Sequence, residues 1–325
     1  MLNTLKSTIK KHIRKYNTGD KLILSFKKLT GRLPVPDMDF PELIGIELCS
    51  SCNLKCVHCP PQSETGAPKH GMLDFDLFLR IMDEIDSAGK RRIALHKDGE
   101  PLLYPKIIDV LNRIKQNQEH EVYLSTNAHK LNQDISRAIL DGRIDIINFS
   151  IGAATAEFYT RVRGNGFTKV IENILAFIDL ADTYEKKPLI QVQIINLPEY
   201  PDMSDEIISF KDTWSQYNVK IDVWDKLTWG LYDNGDSIRY RYPCYSLWNS
   251  IEVNSDSTVS ACCMDWKHEL IIGNISKDSI RSIWHSDALN NLRKQHICDN
   301  GVSINACNKC NYWYWQQRLI TYSEK

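Results

Sequence analysis

Glu47–Pro60 reads ELCSSCNLKCVHCP, and the reading of this stretch decides the fold. A short apolar run, Leu43 to Leu48, leads into it and reads as a buried strand. Cys52, Cys56 and Cys59 then follow in one loop, with three and two residues between them. A cube-shaped iron–sulfur cluster normally takes a cysteine thiolate at each of its four irons. Three thiolates held this closely leave one iron open for a ligand that the protein does not supply. A zinc loop is the other reading, with His58 completing a tetrahedral site. The remainder of the chain separates the two.

The chain has 325 residues, 42% hydrophobic and 25% charged, enough for one large α/β domain and a smaller appendage. Its net charge of −1 gives no overall pull toward nucleic acid. No apolar run reaches the length of a membrane span, and the N-terminus lacks the apolar core of a secretion signal. Ten cysteines in such a chain argue for metal ligation in a reducing compartment, and so for a cytoplasmic protein. Charge is uneven over residues 1–32, where nine Lys/Arg face a single acid, Asp20. Leu2, Leu5, Ile9 and Ile13 fall on one helical face there. The expected role is to cover an exposed end of the domain; contact with an anionic membrane surface or an acidic partner is the alternative.

Beyond the cysteine loop, Asp74 reads as an N-cap. Phe75, Phe78, Ile81, Met82 and Ile85 recur at helical spacing behind it, and Gly89 closes the helix. Short strands follow at Arg92–His96, Glu121–Ser125, Ile144–Ser150, Leu189–Ile195 and Val219–Trp224. Helical patterns separate them: one entered through Pro105, then 132–140, 155–162, 167–184 and 204–217. Six strands alternating with helices imply right-handed parallel βαβ units. The cysteine loop then sits at the C-terminal ends of the strands, where such sheets bind ligands.

The C-x3-C-x2-C loop after a first strand resembles the signature of the radical S-adenosylmethionine (SAM) superfamily. The resemblance implies a partial (β/α)6 TIM-like barrel and a 4Fe–4S cluster on Cys52, Cys56 and Cys59. In that family SAM chelates the open iron and is reductively cleaved to a 5′-deoxyadenosyl radical, which removes a hydrogen atom from substrate. An external reductant such as flavodoxin or ferredoxin is implied. Asp98-Gly99-Glu100-Pro101 resembles the family's Gly-Gly-Glu motif, which holds the SAM amino group, so Gly99 and Glu100 are carried over, with Asp98 in place of a glycine. Ser125-Thr126-Asn127 resembles a Thr-Asn-Gly motif, which marks Ser125 and Asn127. Ser150 at the fourth strand end and Arg163 beyond it resemble the groups on the SAM ribose and carboxylate. Arg suits the carboxylate because it is permanently charged and can bind through two parallel hydrogen bonds. Arg161 is a near competitor. His58 stands where relatives place an aromatic beside the adenine.

Past a polar connector at 225–243 come Cys244, Cys262-Cys263 and Cys307-x2-Cys310. Trp248–Asn254 and Thr258–Ala261 read as a hairpin, and Gly273-Asn274-Ile275 introduces one helix running toward His296. This pattern resembles the SPASM and twitch domains appended to many radical SAM enzymes. It implies an auxiliary 4Fe–4S cluster on Cys244, Cys262, Cys307 and Cys310, where a structural zinc site is the competing account. The expected layout is a helical extension over 1–40, a barrel over 41–230 and a small α+β auxiliary-cluster domain over 231–325. Cys49, Cys263 and Cys298 are left over, as small buried residues. Tyr312-Trp313-Tyr314-Trp315 reads as packing around a buried cluster, a binding platform being the other account.

A closed four-thiolate cluster suits electron transfer. The overall size, single auxiliary cluster and Cys244–Cys262 separation look like those of aminocyclitol-dehydrogenating and sugar-modifying members of the family, which implies oxidation of a small hydroxylated substrate. Asp225, Lys226, Arg161 and His96 are candidate bases near strand ends. Two alternatives stay open on the same scaffold: an epimerase in which Cys263 returns a hydrogen atom, and a peptide-modifying enzyme. A non-catalytic, metal-stabilised binding protein is the reading from a different class.

Overall fold

In the computed structural model, residues 39–63, 71–117, 119–142, 144–227, 229 and 243–313 are described. The basic helix expected over 1–32, the connector residues 230–242, and Tyr314 and Trp315 lie outside them. The six strands alternate with helices as the sequence predicts. They are β1 (Leu43–Ile46), β2 (Arg92–Ala94), β3 (Glu121–Thr126), β4 (Ile146–Ser150), β5 (Leu189–Asn196) and β6 (Lys220–Asp225). Between them run α1 (Phe75–Ser87), α2 (Ile107–Lys115), α3 (Gln133–Asp141), α4 (Ala156–Val162), α5 (Phe167–Ala181) and α6 (Met203–Trp214). Side-chain caps start several of these. Asp74 accepts from Leu77 N at 2.9 Å, Asn132 from Ile135 N at 2.9 Å and Thr155 from Phe158 N at 3.2 Å. Each such cap contributes about 1 kcal/mol. Pro105 is not the first residue of α2, which begins at Ile107 after a turn.

Each strand from β1 to β6 pairs in parallel with the next, and β6 does not return to β1, so the barrel is open. The register sorts side chains onto two faces. One face carries Ile44, Ile93, Val122, Ile147, Ile190 and Val192, all buried in a single core with Phe78, Ile81 and Phe177 of the helices. The other carries Gly45, Ala94 and Tyr123 in one row, then Ser125, Asn148 and Gln191, then Ser150, Gln193 and Asp222. The inner face thus carries a polar band across β3, β4 and β5, beside Ile146, Leu189 and Ile195 on the same face.

The C-terminal segment, read from sequence as a small α+β domain, continues the barrel's own sheet. The hairpin is present, β7 (Ser250–Val253) antiparallel to β8 (Thr258–Ser260). It is shorter than predicted because Tyr245–Trp248 winds into a 3-10 turn. Strand β7 also pairs in parallel with β1, Leu43 opposite Ser250 through Ile46 opposite Val253. The C-terminal strands thus extend the barrel's own sheet in the order β6-β5-β4-β3-β2-β1-β7-β8-β9. Residues expected to lead into a helix form β9 (Ile271–Asn274), and the single helix expected toward His296 is two, α7 (Ile280–Trp284) and α8 (Asp287–Asp299). Ser286 makes the break, its hydroxyl accepting from Leu289 N at 3.3 Å to start the second helix.

Glu47, one residue past β1, fastens this junction. Its carboxylate accepts from Asp98 N at 3.2 Å, Ser255 N at 3.0 Å and Ser255 Oγ at 2.8 Å, so one buried side chain joins the ends of β1, β2 and β7. Glu47→Ala should cost on the order of 2–4 kcal/mol by stranding these donors. Thermal unfolding of the holoprotein measures the loss, and amide exchange should rise first at 255–260. Glu47→Gln, which keeps an acceptor, should lose less.

Candidate functional site

The cysteine loop is fixed to four elements rather than left as an excursion. Glu100 N donates to Ser51 O at 2.9 Å, Gln62 Nε2 to Asp98 O at 2.9 Å and Val57 N to Val162 O at 3.0 Å. Asn127 Nδ2 reaches both Asn53 Oδ1 at 2.9 Å and the Cys52 sulfur at 3.7 Å. Gly99 is needed for this closure: a Cβ there would lie 2.0 Å from Cys49 O. Its role in the structure is to let the end of β2 pass against the loop's own backbone.

Cys52, Cys56 and Cys59 face one another. Burial, then Cys56 and Cys52, push the Cys59 thiol up to about 12. Burial, followed by Glu100 and Cys56, lifts Cys52 to about 11, with Leu54 N and Arg163 working the other way. A second set of cysteines gathers where the chain enters β7 and leaves β8, with Cys244 just before the 3-10 turn into β7 and Cys262 two residues past β8. Burial and then Cys310 raise Cys244 to about 12. Cys262 is raised by its hydrogen bond with Cys263, by burial, and by Cys244 and Cys310. Cys307 sits one helical turn before Cys310, whose N–H donates to Cys307 O at 3.0 Å. Backbone N–H groups two residues ahead donate to three of these sulfurs, Leu54 to Cys52 at 3.4 Å, Met264 to Cys262 at 3.3 Å and Tyr312 to Cys310 at 3.4 Å. Such donors favour the thiolate, the form that binds metal. Grouped cysteine thiolates are the donor set that iron–sulfur clusters take.

Around the first cysteine set, charged groups converge at the strand ends. Glu100, 3% exposed, accepts from Leu102 N at 3.0 Å, Thr126 Oγ1 at 2.6 Å and Asn127 N at 2.8 Å. Its carboxylate is thus largely committed to bracing β3. The orphan carboxylate atom is Asp98 Oδ1, which is buried without a partner. Arg163, 5% exposed, donates through Nη2 to Ser150 Oγ at 2.7 Å, while its Nε has no partner. A Cβ on Gly152 would come within 2.4 Å of that Nε, so the glycine clears the guanidinium's place. Arg161, the competitor, points away to pair with Asp202 at the surface. His58 Nδ1 is also buried and unpartnered, and burial, with help from Arg163, lowers that ring to about 3.

Ser125 is not in this group. It sits on the inner face, accepting from Asn148 Nδ2 at 3.0 Å, and Asn148 also reaches Gln193 Oε1 at 3.4 Å. His96 packs edge-on to Tyr123 on the same face, ring centroids 4.9 Å apart, with Nδ1 buried and unpartnered. Cys263 contacts Cys262 and Tyr312 by hydrogen bonds. Of the other candidate bases, Lys226 pairs with Glu199 at 2.6 Å and Asp225 accepts from Asn196 Nδ2 at 3.2 Å. Glu252 was not singled out from sequence. It lies beside Gly45 on the inner face, and burial followed by Cys263 raises its carboxyl well above the usual range. Its signal was a lone charge inside the apolar run of β7.

Comparison with known proteins agrees with this geometry. Residues 46–209 match the Radical SAM superfamily model and residues 244–311 the SPASM iron–sulfur cluster-binding domain. The chain belongs to the radical SAM superfamily and is a radical SAM enzyme with a C-terminal SPASM domain. Its cofactors are SAM, a 4Fe–4S cluster and auxiliary iron–sulfur chemistry. It is 34% identical over 124 residues to an AdoMet-dependent heme synthase of Methanosarcina barkeri, covering 38% of this chain and 35% of that one. It is 26% identical over 164 residues to a GTP 3′,8-cyclase of Desulforamulus reducens, half of each chain. The matches thus span only about a third to a half of these curated relatives. Among solved structures, BtrN in complex with AdoMet and 2-DOIA superposes with TM-score 0.57 at 18% identity, over 83% of this chain and 92% of that one. Streptococcus suis SuiB bound to precursor peptide SuiA gives 0.59 at 13% identity, over 83% and 69%. These likenesses confirm the open barrel. Among the described residues no helix is long and apolar enough to cross a membrane.

Burial lowers the His96 imidazole from 6.5 to about 4. The unfolded chain therefore takes up the proton first. The stability held in this ring is complete above pH 6.5 and drains as pH falls toward 4. It should amount to on the order of 2 kcal/mol, less than the full shift because the ring keeps some solvent contact. Thermal midpoints from pH 7 down to 4 should fall less steeply in His96→Phe than in the wild type.

Proposed function

We propose that this enzyme oxidises a small hydroxylated substrate, such as a sugar or aminocyclitol, with the auxiliary cluster as electron acceptor. The observation that carries the reading is the polar band of the inner face. Ser125, Asn148 and Gln193 form a hydrogen-bonded band directly below the strand ends, with Asn148 Oδ1 buried and without a partner. A hydroxyl-rich ring supplies donors and acceptors to such a surface, while an apolar side chain would strand them. When bound, SAM on its cluster supplies a hydrogen-abstracting 5′-deoxyadenosyl radical, and the auxiliary cluster a one-electron acceptor. The substrate alcohol then loses a hydrogen atom from carbon and a proton and an electron from the remaining radical, becoming a carbonyl.

In this reading Cys52, Cys56 and Cys59 hold the first cluster, and Cys244, Cys262, Cys307 and Cys310 the second. Arg163 Nε and Asp98 Oδ1, both buried and unpartnered, suit the carboxylate and ammonium of the methionine part of SAM. Gly99 and Glu100 hold that edge in place, with Asn127 bracing Cys52 and Ser150 orienting Arg163. His58, kept neutral, can stack on or hydrogen-bond the adenine.

Anaerobically reconstituted wild type should contain about eight irons, and a Cys52/Cys56/Cys59→Ala triple variant about four, from two four-iron clusters. The product should be lighter than the substrate by two hydrogens. A product of unchanged mass in ordinary water that gains one deuterium in D2O would replace oxidation by epimerisation, and zinc without iron would remove the radical chemistry. SAM binding by equilibrium dialysis should weaken about tenfold or more in Gly152→Ala, which displaces Arg163, and stay unchanged in Arg161→Ala.

A further inference from the structure

Glu252 is a buried inner-face acid that the mechanism above leaves unused. It is the register partner of Gly45, and its Oε2 lies 1.6 Å from where a Cβ on residue 45 would stand. The glycine is therefore a requirement of the carboxylate, which occupies the space a side chain on β1 would fill. Glu252 is 4% exposed, and among the described residues its surroundings act on it through burial and charge, with no hydrogen bond among them. Its neighbours contrast with it. Glu47 has three donors. Asp98 has Lys97 at 3.1 Å, and the same ammonium is taken up further by Asn254 Oδ1 at 2.8 Å and by His268 Nε2 at 3.2 Å.

Three carboxyls, Glu47, Asp98 and Glu252, thus share one corner with a single lysine already bonded elsewhere. A buried carboxyl without a donor persists at a cost that a ligand can remove. A cation bearing N–H groups removes it best, since it supplies both the charge and the hydrogen bonds. We propose that Glu252 anchors a protonated amino group of the substrate, so that the enzyme's substrate is an amine-bearing polyol. The subsite deepens, and rests on, the small hydroxylated substrate proposed above. The band of Ser125, Asn148 and Gln193 takes the hydroxyls and Glu252 the amine, which sets the ring's orientation between them.

The test uses the reconstituted holoenzyme with SAM bound, under anaerobic calorimetry near neutral pH. The probes are two matched pairs, glucosamine with glucose and streptamine with scyllo-inositol. Wild type should bind the aminated member of at least one pair about tenfold more tightly. Glu252→Gln should bind both members alike, and Glu252→Asp should recover part of the preference. Iron content equal to wild type shows that the variants are folded. Equal binding of both members by wild type, or an undiminished preference in Glu252→Gln, overturns the amine subsite and leaves the polyol reading standing. Binding of neither member of either pair by wild type overturns the polyol reading and the subsite together.

Discussion

The arrangement depends on β1 being hydrogen-bonded on both sides. An open barrel leaves β1 with a free edge, and exposed edges of parallel strands are costly to leave unpaired. Here β7 fills it in parallel, and Glu47 locks the pairing just past the strand ends. The cysteine loop leaves β1 at the same place. One short strand therefore sets the position of the first cysteine set relative to the barrel and, through β7 and β8, relative to the second. Residues more than two hundred positions apart in the chain become neighbours through that single pairing.

The same sheet divides its work between two faces. The outer face is packed with β-branched and aromatic side chains against the helices, and burial of that surface is the main stabilising term. Freed from that task, the inner face carries amides, hydroxyls and acids, several of them with a buried atom that has no partner among the described residues. Unsatisfied groups of this kind are expensive in a finished core. Their concentration at the strand ends, beside the cysteines, marks the region where ligands complete the structure.

Much of this was legible from sequence because it is local. The helix cap at Asp74, the alternation of six strands, and the spacing of Cys52, Cys56 and Cys59 all depend on residues within a few positions of one another. Of the two neighbouring arginines, Arg163 faces Ser150 and Arg161 pairs with Asp202 at the surface. Partners, by contrast, come from tertiary contacts: Glu100 accepts from Asn127 N and braces β3, Asp98 holds a buried carboxylate oxygen without a partner among the described residues, and Gly99 admits the backbone of residues 49–51. A motif marks where atoms crowd together, without saying which partner each of them takes.

By itself the sequence determined the parallel α/β core, the cysteine sets and the place of the cofactor loop at the strand ends, because hydrophobic period, capping chemistry and thiol spacing are properties of short segments. Tertiary structure alone decided that the C-terminal strands join the barrel's sheet. It also decided that Glu252 lies opposite Gly45, and that the inner face forms a continuous polar band. Those facts follow from strand register, which brings together side chains from opposite ends of the chain and has no signature in any one stretch of it.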